Sequence, residues 1–83
     1  MDKKIMMTVT VENANDYVVG QITAYLTVLT NNMMTGKTGF SLDRKESING
    51  ETVRVFRGEV TPLERKAIID TLKFYYEDQV KFN

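Results

Sequence analysis

From Ile5 to Glu12 the chain alternates, with Ile5, Met7, Val9 and Val11 on one side and Met6, Thr8, Thr10 and Glu12 on the other. A period of two predicts a strand with one buried face. Asn13 then stands ahead of Ala14, Asn15 and Asp16 as an N-cap, with acid in the first turn where the positive end of a helix favours it. The stretch from Tyr17 to Thr30 is rich in β-branched residues, and Val18, Gly20, Ile22, Ala24, Leu26 and Val28 also fit a period of two. A strand of that length would be unusual. At about 100° per residue, Ala14, Val18, Val19, Ile22, Tyr25, Leu26, Leu29 and Met33 share one broad arc, with Asp16, Gly20, Thr23, Thr27, Thr30 and Asn31 opposite, which predicts a helix.

Gly36 and Gly39 bracket a break, after which Phe40, Leu42 and Ile48 alternate with polar residues up to Asn49-Gly50, the pair favoured in a two-residue hairpin turn. Thr52 to Val60 returns as the third strand. With that turn, Ile48 faces Glu51, Glu46 faces Val53, Arg44 faces Val55 and Leu42 faces Arg57. Phe40, Leu42, Ile48, Val53 and Val55 then form the expected core side. Thr61-Pro62-Leu63-Glu64 carries an N-cap, a proline at the first helical position and a glutamate that closes a capping box. A second helix is predicted from there to about Asp78, with Gln79 to Asn83 available as a short edge strand.

The expected fold is therefore α+β in the order β-α-β-β-α(-β), a ferredoxin-like two-layer sandwich with an antiparallel sheet and two helices on one face. Nothing divides residues 1–83, which read as one domain. A chain of 83 residues buries only about 60% of the surface its unfolded form exposes, so the core is small. Hydrophobic residues at 42% and charged ones at 27% are ordinary for a folded protein.

The chemistry available is narrow. No histidine and no cysteine are present, which removes the commonest general base, the thiolate nucleophile and the usual transition-metal ligands. Ser41 and Ser47 thus lack an imidazole to activate them. Gly36-Lys37-Thr38 lacks the earlier glycine of a phosphate-binding loop, since Asn31 stands at that position, and it follows a helix instead of opening one. The acids are scattered without calcium-loop spacing. Neither catalysis nor a cofactor or metal is expected.

Binding is the remaining reading. Eleven basic and eleven acidic residues give zero formal charge, so no bulk field steers the chain to nucleic acid. The hairpin face opposite the expected core side carries Lys45 opposite Arg54 and Phe56 opposite Asp43, with Arg57 nearby, a patch suited to an acidic surface or a single strand. RNA-recognition domains share this element order but stack bases on aromatics in the first and third strands, and residues 5–12 contain none. Nucleic-acid binding is the weaker alternative.

The second helix splits its apolar residues into two groups, Ile68, Ile69, Leu72, Tyr75 and Tyr76 on one side and Leu63, Ala67 and Phe74 nearly opposite. One group faces the sheet; the other calls for a cover. Tyr17, Ala24 and Val28 widen the first helix's arc in the same sense. The expected role is a non-enzymatic module that binds or inhibits a protein target, as a homodimer, with Leu63, Ala67, Phe74, Lys45, Arg54, Phe56 and Arg57 as contact residues. Chains this small without a site often serve as adaptors or inhibitors, phage and mobile-element products among them. A small-effector sensor lined by Tyr25, Tyr75 and Tyr76 is the alternative. No stretch suits a membrane span or a signal-peptide core, and a cytoplasmic location is the expectation.

Overall fold

The computed structural model describes residues 3–30, 39–48 and 51–83, and for residues 41–48 and 51–52 the backbone alone. The order is β1 (Ile5–Glu12), α1 (Asp16–Leu29), β2 (Ser41–Ile48), β3 (Glu51–Val60), α2 (Pro62–Tyr76), a 3-10 turn (Glu77–Gln79) and β4 (Val80–Phe82). This is a small α+β fold whose 4-stranded antiparallel sheet runs β2-β3-β1-β4. The two helices supply Ile22, Leu26, Ile68 and Leu72 to a core shared with Met7, Val9 and Val11 of β1, and all seven are at 0% exposure. The alternation in β1 therefore marked the helix-covered face, and each such burial contributes about 1.5–3 kcal/mol.

β1 runs along the length of β3, from Ile5 opposite Val60 to Glu12 opposite Val53. The optional last strand forms. β4 pairs Val80 with Val11 and Phe82 with Val9, and Asn83 and Thr8 exchange two backbone hydrogen bonds of 2.9 Å.

The helix starts divide. Thr61 Oγ1 accepts from the Glu64 N–H at 3.2 Å while the Thr61 N–H donates to Glu64 Oε1 at 2.9 Å, the reciprocal box that the sequence predicts. At α1 the predicted cap is displaced by two residues. Asn15 is the N-cap, its Oδ1 accepting from the Val18 N–H at 2.9 Å, whereas Asn13 adopts φ 53°, a left-handed conformation that asparagine tolerates better than most residues. Both asparagines are competent caps; the one that turns the chain lets Ala14 bury at 6% exposure.

The hairpin departs from expectation in register and in face. From Ile48/Glu51 to Arg44/Val55 the pairs are as predicted, including Lys45 opposite Arg54. Between Arg44 and Leu42 the register shifts, so Leu42, not Asp43, stands opposite Phe56, and Ser41 stands opposite Arg57. One extra residue of a bulge accounts for the slip. The Asn49-Gly50 turn itself lies outside the described residues.

The face assignment on β3 reverses. Phe56 stands opposite Val9 and Arg54 opposite Val11, which puts them on the helix side, with Phe56 2% exposed. Val53 and Val55, expected on the core side, stand opposite Glu12 and Thr10 on the other face, yet are 3% and 4% exposed. β3 is an interior strand, so its valines are flanked on both sides, and apolar character alone does not say which face the helices cover.

Gly58 has a specific reason on this strand. It lies opposite Met7 and beneath Phe40, and a Cβ there would sit 2.9 Å from the Phe40 Cγ and 2.9 Å from the Gly39 carbonyl oxygen. The missing side chain is what lets the Phe40 ring close over the sheet.

Candidate interaction surface

The outer side of α2 presents the apolar stripe that its periodicity predicts. Ile68 and Leu72 are buried, while Leu63 and Phe74 are 73% and 70% exposed, with Ala67 half-buried between them. Lys66 and Asp70 run beside the stripe, joined by a 2.8 Å ion pair in which Lys66 Nζ donates. The Asp70 carboxylate raises the Lys66 pKa, through the hydrogen bond first and its charge second. Such an exposed i,i+4 pair is screened by solvent and contributes little to stability.

Near its C-terminal end the stripe broadens into an aromatic band that crosses to α1. Phe74 meets Tyr75 edge-on at 5.1 Å between ring centroids, Tyr75 stacks on Tyr25 at 5.3 Å, and Tyr76 meets Tyr25 at 6.4 Å. A polar thread runs parallel to it: Tyr76 Oη donates to Gln21 Oε1 at 2.7 Å, and Gln21 Nε2 donates to Tyr17 Oη at 3.0 Å. The structure thus brings Tyr25, Tyr75 and Tyr76 together. They spend their faces on one another, and a cavity of about 410 Å³ lies apart from them, lined by Ile5, Pro62, Arg65, Lys66, Ile69 and Asp70. Burial, followed by the neighbouring Tyr25 and Tyr17, raises the Tyr76 pKa above the ordinary 10.0.

Tyr75 corrects the sequence reading. Grouped with the sheet-facing residues, it is instead 60% exposed, because the stack on Tyr25 holds it at the outer edge of the helix pair. Tyr17 at 73% and Val28 at 49% extend the surface along α1, as the widened arc suggested. Gln21, the link between Tyr17 and Tyr76, carried no sequence signal beyond its four-residue spacing from Tyr17 and Tyr25.

The basic hairpin residues do not share one surface. Arg54 is 15% exposed on the helix side, where its guanidinium pairs with Asp16 at 3.5 Å, and its Nε is buried without a hydrogen-bond partner among the described residues. Phe56 belongs to the core, and Arg57 is exposed on the opposite face. Lys45 shares a register position with Arg54; its side chain, with Gly36-Lys37-Thr38, lies outside the described residues. Among the described residues no helix is long and apolar enough to cross a membrane. No protein-family model, curated protein or solved structure matches the chain.

Proposed function

We propose that this protein is a non-catalytic interaction module of ferredoxin-like architecture that works as a homodimer and binds a protein target, with the outer side of its helix layer as the contact surface. The βαββαβ element order and the antiparallel strand order β4-β1-β3-β2 support the architecture. The absence of histidine and cysteine from the sequence supports a non-catalytic role. The reading rests above all on one observation: Phe74 and Tyr75 stand 70% and 60% exposed at the end of a continuous aromatic run. Contiguous exposed aromatics mark association surfaces, where Tyr and Phe supply large contact area at low entropic cost.

Light scattering on a size-exclusion column tests this. The unaltered chain elutes at twice its 9.5 kDa mass, and Phe74→Glu elutes at the monomer mass with an unchanged far-ultraviolet circular dichroism spectrum. Since Phe74 is exposed, the substitution costs the fold little beyond the edge contact with Tyr75, about 1 kcal/mol. A monomer at every concentration for both proteins would overturn the homodimer.

A further inference from the structure

We infer that the two-fold axis of the homodimer lies on α1, at Gly20 and Ala24, with the α1 helices of the two copies packed against each other. This rests on the reading of the helix layer as the self-association surface and specifies where the second copy sits.

Three independent features point there. The first is charge. From Tyr17 to Thr30 the chain carries no charged residue, although the outer side of α1 presents Tyr17, Gly20, Ala24 and Val28 to solvent. An outer helix face normally carries charge. At an isologous interface each residue near the axis meets its own copy, so a charge there would face its like; beyond Asp16 at its first position, α1 has none to repel or to desolvate.

The second feature is Gly20. It sits inside α1, has no atom within 4 Å of where a Cβ would stand, and needs no left-handed backbone. Glycine at a helix interior weakens the helix, and among the described residues nothing offsets the loss. At Gly58 the reason is visible in the Phe40 ring; at Gly20 it is supplied by another backbone coming close. Ala24, one turn on and also exposed, extends the same shallow seat.

The third feature is area. Tyr17, Val28, Phe74 and Tyr75, with the small residues between them, offer on the order of 500–600 Å² of accessible surface, given that an aromatic side chain buries about 150–250 Å² in full. A standard interface takes roughly 800 Å² from each partner, so this face supplies most of what a stable dimer needs. Tyr17 and Val28 flank the small seat along α1, and Tyr25 joins it to Tyr75 and Phe74 of α2.

Sedimentation equilibrium from about 1 to 100 µM on the unaltered chain and on Gly20→Lys tests the axis. The open space at Gly20 accommodates the lysine in the folded monomer. The expected result is a dimer for the unaltered chain and a dissociation constant raised at least ~100-fold for Gly20→Lys, with native helicity retained. A monomeric unaltered chain overturns both the homodimer and the axis. An unaltered chain and a Gly20→Lys variant that dimerise with the same constant overturn the axis alone, leaving Phe74→Glu to locate the contact. Should Gly20→Lys not fold, Ala24→Cys decides, because the sequence has no other cysteine: mild oxidation gives a disulfide-linked dimer if the helices cross there, and its absence overturns the axis.

Discussion

Two residues hold backbone conditions that their neighbours impose. Gly58 has its missing Cβ filled by the Phe40 ring and the Gly39 carbonyl, so Gly58→Ala forces one of them to move and is expected to destabilise the chain by about 1–3 kcal/mol in thermal unfolding. Glu77 ends α2 at φ 49° and ψ −120°, a region that glycine enters without Cβ strain. Glu77→Gly is therefore expected to stabilise by about 0.5–1 kcal/mol, and a lower melting temperature would contradict the strain at that turn. Neither was legible beforehand: the glycine reads as an ordinary strand interruption, and nothing in Tyr76-Glu77-Asp78 marks a left-handed stop. Tyr76 carries a pH consequence. Its phenol is raised above 10.0 in the folded chain, first by burial, so the unfolded chain loses that proton earlier as pH rises. Stability then falls as pH climbs through the interval from 10.0 up to the folded value, and Tyr76→Phe flattens that part of the fall in urea unfolding measured between pH 9 and 11.

Elements were legible where a local device fixes them. Thr61, Pro62 and Glu64 make a complete signal, and α2 starts where it predicts; Thr61→Ala is expected to cost about 1 kcal/mol, measured by denaturant unfolding. The start of α1 falls two residues after the expected Asn13, since Asn15 is chemically its equal and the selection between them depends on how Ala14 packs, which is tertiary information. In the hairpin, the register expected from Asn49-Gly50 holds as far as Arg44/Val55, and the shift before Leu42 breaks it because no residue type announces an extra position. The face of β3 was misread for a related reason. Val53, Val55 and Phe56 are all apolar and all buried, and the phenylalanine goes beneath the helices because Val9 opposes it on β1.

For the whole molecule, helical periodicity was the most informative signal, since it marked Leu63 and Phe74 as surplus to the core before any partner residue was placed. The aromatic band escaped it in part. Tyr75 is held outward by a ring on the other helix, a contact between residues 50 apart in sequence that a helical wheel does not contain. The basic hairpin patch dissolved once its residues were divided between the core, an ion pair with Asp16 and the opposite face. What remains is a helix layer whose α1 carries no charge after Asp16, a stacked aromatic bridge and an exposed Phe74. Backbone amide chemical shifts followed through a hundredfold dilution test this most directly. A two-fold helix-layer interface requires concentration-dependent shifts at Tyr17, Gly20, Ala24, Val28, Phe74 and Tyr75 and constant ones at Met7 and Val9 beneath. Shifts that stay fixed throughout, or that move on the sheet's uncovered face at Thr8 and Arg57 instead, would contradict it.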